Sequence, residues 1–204
     1  MIKSEDISKI KELGYNYITS IGKPSIRKLI NDQDSQIQAE LFDEELKEVV
    51  DEQNEVRYIL RRNPTRCDEI RQTRDAKITK LNTFIQSKVE YYNTHYQAKK
   101  QTLQNAITSK IGSFNLASFV SYTITYTQGE CATIDKDGNT TIKTKDLATV
   151  EIIVDQVKLN KIEELDGCYV VKTSLLDLTK DTKEDIHKVY KTLSKVENAF
   201  KQSF

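Results

Sequence analysis

The stretch LDGCYVVKTSLLDL at 165–178, with VYKTLSKVENAFK at 189–201, decides how the rest of the chain is read. Asp166-Gly167 is a turn signal, because glycine takes the left-handed backbone that tight turns need. Residues 168–172 form a strand by their aromatic and β-branched run. Thr182, with Asp185 three residues on, opens a last helix as a variant of the capping box. At about 100° per residue, Ile186, Val189, Tyr190, Leu193, Val196, Phe200 and Phe204 share one arc, and Lys188, Lys191 and Lys195 lie opposite. Glu197 falls inside the apolar arc, between Ile186 and Tyr190 in angle. A carboxylate there either reaches water from the rim of the stripe or is held by a partner, a proton or a metal, since burial alone is costly.

Working outward, 148–154 is a strand and Val157, Leu159 and Ile162 mark a short helix. Val120 to Thr127 alternates Tyr122, Ile124 and Tyr126 against Ser and Thr, and Asp137-Gly138 signals a hairpin between 132–134 and 141–143. Further back, Ile70, Ile78, Leu81, Ile85, Val89 and Tyr92 keep helical spacing, which Leu103, Ile107 and Ile111 continue. Such a run exceeds the usual globular helix, so the spacing predicts a helical hairpin or coiled arm over 65–111, broken near 93–95. Asn63-Pro64 separates it from a strand at 56–62. Residues 31–54 read as acidic and helical, with Leu41, Phe42, Leu46, Val49 and Val50 on the apolar face. At the start, Ser4 reads as an N-cap, Gly14 as the residue closing the helix, 15–21 as a strand, and Pro24 as the opening of a short helix. The pattern is mixed α/β (α+β).

Composition narrows the function classes. Lys plus Arg equals Asp plus Glu at 31 each, so no global charge favours nucleic acid or an acidic membrane. No apolar run approaches the roughly 20 residues needed to cross a bilayer, and the start lacks a secretory signal, so a cytoplasmic address is expected. Cys67, Cys131 and Cys168 lack metal spacing and read as reduced thiols. His95 and His187 lack it too, and His187 reads as a surface residue. The densest basic stretch is Arg57, Arg61, Arg62, Arg66, Arg71 and Arg74, which suits a phosphate backbone, although Asp68, Glu69 and Asp75 offer ordinary surface pairing instead.

The C-terminal phrases resemble the end of bacterial insertion-sequence transposases of the DDE type, in the insertion-sequence-four superfamily. There a phrase like "fDG-yv-l-T" precedes a helix reading "Y-x-x-L-x-x-V-E-x-a-F-r". Asp166, Gly167, Thr173, Tyr190, Leu193, Val196, Glu197, Phe200 and Lys201 stand at the matching positions. RYILRRNPTRCDEIRQTRDAKITKL at 57–81 resembles the family's insertion, and MIKSEDISKIKELGYNYITSIG at 1–22 resembles the segment after its second catalytic aspartate. The resemblance implies a partial ribonuclease-H-like catalytic fold with a large helical and β-hairpin insertion. Residues 1–30 would be a core remnant, 31–155 the insertion with strands over 119–154, and 156–204 the return to the core.

In that family two aspartates and a glutamate hold Mg2+ or Mn2+ ions about 3.5–4 Å apart, which activate water or a DNA 3′ hydroxyl. Glu197 matches the third acid and metal ligand, while Tyr190, Leu193, Phe200 and Lys201 share its signature helix. The two aspartates have no counterpart here, and the position seven after the glutamate, a lysine in the family, is Phe204. The expectation is a fragment clipped at both ends, which binds no metal and cuts no DNA alone, while the complete enzyme acts on transposon ends. The alternative is a regulatory module that pairs with a like helix, in a homodimer or with an intact transposase, through its long helical segment.

Overall fold

The computed structural model describes the backbone at 2–32, 36–42, 46–134 and 138–202, and the side chains in those ranges except at 4, 39, 40 and 194–202. The fold is mixed α/β with antiparallel sheets. It divides into two compact units, Met1–Ile70 with Glu164–Phe204, and Arg71–Glu163. Both boundaries lie later than the expected 31 and 155, because the strand over 56–62 pairs with the strand over 168–173 rather than with the hairpin.

The first unit begins with α1 (Ser4–Glu12), whose N-cap is Lys3 rather than Ser4; Gly14 closes it at φ 76°. β1 (Ile18–Ile21) and α2 (Lys23–Asn31) follow, with Pro24 in the first turn of α2. The helix expected over 31–54 is replaced, among the described residues, by a 3-10 turn Ala39–Phe42 and a strand, β2 (Lys47–Asp51). Val49 and Val50 pair there with Tyr58 and Arg57 of β3 (Val56–Arg62). Asp51 sets the turn by accepting from the Asn54 amide at 3.1 Å, and Glu55 takes φ 51°. Sheet pairing thus outweighs the helical spacing of an acidic stretch whose apolar residues are largely β-branched or aromatic.

The remaining strand, β6 (Cys168–Thr173), runs between β1 and β3, giving the order β1-β6-β3-β2. Two cores cover the two faces. Phe42, Leu60 and Val170 pack with Ile26 of α2 on one; Ile59 and Val171 pack with Ile186 of α6 (Lys183–Gln202) on the other. Each such aliphatic residue contributes roughly 1.5–3 kcal/mol of burial.

The second unit holds most of α3 (Pro64–Thr94), α4 (Lys100–Ser113), the strands β4 (Val120–Ile134) and β5 (Thr140–Val154), and α5 (Gln156–Glu163). Pro64 sits where its missing N–H costs nothing, and the Asn63 side chain accepts from the Arg66 amide at 3.2 Å. The helical hairpin breaks at 95–99. The strands expected in pieces are two continuous 15-residue strands paired from Val120↔Val154 to Ile134↔Thr140. Asp137, expected in the hairpin turn, lies outside the described residues, and Gly138 takes φ 83°. Leu81, Ile85 and Tyr92 of α3 are covered by Leu103 and Ile107 of α4 and by the inner face of the hairpin.

Candidate functional site

The C-terminal helix is set on the sheet by its first turns. Thr182 Oγ1 accepts from the Asp185 amide at 3.2 Å and donates to the Asp185 carboxylate at 2.5 Å, fixing the entry angle. Ile186 is buried against Ile59 and Val171, and Tyr190 packs beside it. Val189 and Leu193 are each 48% exposed. The helix therefore rests on the Ile186–Tyr190 flank and leaves the other half of its apolar arc uncovered. Glu197, Val196, Phe200 and Lys201 continue the helix, and their side chains lie outside the described residues.

His187, read from sequence as a surface residue, is buried at 7% exposure. Its Nε2 lies 2.5 Å from the hydroxyl of Tyr169, and the two rings stack at 5.8 Å. Tyr190 stacks on the same tyrosine at 6.4 Å. Arg61 stands opposite Tyr169 in the β3–β6 register, on the same face of the sheet. Burial lowers the His187 pKa from its ordinary value, and the charges of Lys191 and Arg61 lower it further. Burial raises the Tyr169 pKa, with Arg61 opposing. None of this was legible in sequence, because it needs the register of two strands far apart in the chain and the seating of a helix across them.

The six arginines part company. Arg57 is fully buried; its Nε donates to Glu48 at 2.8 Å and its guanidinium to the Asp181 carbonyl at 2.6 Å, so it is not available to a phosphate backbone. The one sequence sign was Ile59, an apolar residue between Arg57 and Arg61 on the strand face opposite Val56, Tyr58 and Leu60, which suits a strand covered on both faces. Arg74 is buried and pairs with Glu163 at 2.9 Å, a structural tie inside the second unit. Arg62 is half-buried and donates to the Glu164 carbonyl at 2.7 Å and to Cys168 Sγ at 3.4 Å. Arg66 is exposed and pairs with Glu69 at 2.7 Å, Arg71 is exposed in the second unit, and Arg61 is half-buried beside Tyr169.

Cys67, Cys131 and Cys168 are free and buried, and burial raises the Cys168 pKa. Among the described residues no group of three or more His, Cys, Asp or Glu side chains is gathered for a metal, and no helix is long and apolar enough to cross a membrane. A groove of about 950 Å³ beside β2 is walled by Asp32, Glu48, Asp51 and Glu52, a charge that repels nucleic acid. Compared with family models, curated proteins and solved structures, the chain matches none.

Proposed function

We propose that this chain carries the glutamate-bearing part of a DDE transposase catalytic domain, with Glu197 as one of three carboxylates that together hold divalent metal for DNA cleavage and strand transfer. One observation supports the reading: α6 seats one flank on the sheet and leaves described apolar side chains of the other uncovered. Val189 and Leu193 stand half exposed, and β1 pairs with β6 alone among the described strands. Further strands of a ribonuclease-H-like sheet, bearing the two aspartates, would add at β1 and cover that flank. By angle on the helix, Glu197 falls between Ile186 and Tyr190, the residues that seat α6 on the sheet. One carboxylate cannot balance two divalent ions, so the chain alone has no cutting activity. Mg2+ or Mn2+ would be bound only with the two further aspartates, where it would polarise the phosphate and activate the attacking oxygen.

Transposon-end DNA is the substrate on this reading. The test is duplex binding by the full chain at several salt concentrations. Replacing Arg61 and Arg66 by glutamine should flatten the slope of log K against log salt by about 1–2, near 0.9 for each phosphate no longer neutralised. An unchanged slope removes these residues from the DNA surface. Pairing through the long helix has less support, since Leu81, Ile85 and Tyr92 are covered within their own unit.

A further inference from the structure

We infer that Arg61, Tyr169, His187 and Lys191 form a phosphodiester-binding site in which uptake of the anion is coupled to protonation of His187. The choice of a nucleic-acid phosphate rests on the DNA-processing reading above; the site rests on contacts within the first unit. Arg61 stands beside Tyr169 in the β3–β6 register, and the Tyr169 hydroxyl hydrogen-bonds His187 Nε2, donating to it while that nitrogen carries no proton. A proton taken from solvent by Nε2 reverses the bond: the imidazolium donates to the tyrosine oxygen, and the hydroxyl hydrogen is released toward another acceptor.

The groups facing His187 set the sign. β3 brings Arg61, β6 brings Tyr169, and the helix itself brings Tyr190 and Lys191 one turn on and Lys183 and Glu184 one turn back. The charges acting on the ring are those of Lys191 and Arg61, both cationic, and both resist a third positive charge. A phosphodiester removes that resistance. It accepts from Arg61, from the freed Tyr169 hydroxyl and from Lys191, and its negative charge favours the imidazolium. The balance is one proton taken up for each anion bound, with no bond made or broken elsewhere. Tyr190, stacked on Tyr169, fixes the orientation of that ring and acts as a positioning residue.

The chain has two histidines, so NMR ring signals of His187 are assigned by comparison with His95→Gln. Titration of the full chain alone, with a short DNA duplex and with inorganic phosphate is the test. The duplex should raise the His187 midpoint by about one unit, equivalent to duplex binding about tenfold tighter with the ring protonated. Arg61→Gln should lose that rise, and His187→Gln should bind the duplex equally from pH 5.5 to 7.5. The wild-type titration stands even where the His187 variant folds poorly. Duplex binding with the His187 midpoint unmoved overturns this inference and leaves the DNA reading standing. A midpoint raised by phosphate without duplex binding upholds the anion site and overturns the DNA reading. No movement with either overturns the site.

Discussion

Asp166 and Lys23 form an ion pair in which the carboxylate has no solvent exposure and Oδ1 lies 3.1 Å from Nζ. The pair ties the turn before β6 to the first residue of α2, so the two ends of the first unit depend on one another. Lys23→Met removes the Nζ contact of a buried carboxylate and should cost about 2–3 kcal/mol in urea unfolding, the range of a hydrogen bond to a charged group. Asp166→Asn keeps the shape and removes the charge, so it should cost less than Lys23→Met.

Gly167 gives a sharper steric test. At φ 73° it packs so tightly that an added Cβ would stand 2.5 Å from the Asn63 carbonyl oxygen and 3.0 Å from the Cys67 backbone nitrogen. Backbone cannot yield as a flexible side chain does. Gly167→Ala should cost about 2–4 kcal/mol, combining left-handed strain with overpacking. Gly14 has φ 76° and nothing within 4 Å, so Gly14→Ala should cost only about 1–2 kcal/mol. Equal losses at the two sites, measured by chemical denaturation, would contradict the packing.

In the second unit, Lys145 of β5 reaches the end of α3. Its ammonium donates to the carbonyls of Tyr92 and His95, 2.6 Å in the second case, and lies 4.0 Å over the Tyr92 ring. A cation at a helix C-terminus offsets carbonyls that have no helical partner. Lys145→Met should cost about 1.5–3 kcal/mol and speed amide exchange at the 95–99 break. Loss confined to the hairpin, with 95–99 exchange unchanged, would contradict the capping role.

His187 makes stability depend on pH. Its folded pKa lies below the ordinary value of about 6.5, so between the two values the unfolded chain binds more protons. Unfolding free energy therefore falls as pH drops through about 6.5, and the loss saturates below the folded pKa. His187→Gln should flatten that part of a pH series of urea midpoints. A wild-type series that rises toward acid through this window would contradict the sign.

What sequence made legible was local. Asn63-Pro64 marked the start of α3, Thr182 and Asp185 the start of α6, and Asp166-Gly167 the turn into β6, because each is a cap or turn whose chemistry acts over about four residues. β2 was misread because Leu41, Phe42, Leu46, Val49 and Val50 fit a helical stripe, and only pairing with β3 decides otherwise. Arg57 read as a phosphate contact for the same reason: Glu48 lies diagonal to it across β2, and the loop carbonyl of Asp181 arrives from the far end of the chain. The Arg61–Tyr169–His187 contact is wholly nonlocal.

Glu197, on the function proposed above, is one of three carboxylates acting on DNA through divalent metal. The most direct test of that role joins this chain to a ribonuclease-H-like segment that carries two catalytic aspartates and measures Mg2+-dependent nicking of a DNA duplex. The joined protein should nick, this chain alone should not, and Glu197→Gln in the joined protein should abolish nicking while it still binds the duplex. Nicking that survives Glu197→Gln, or metal-dependent nicking by this chain alone, would contradict that role.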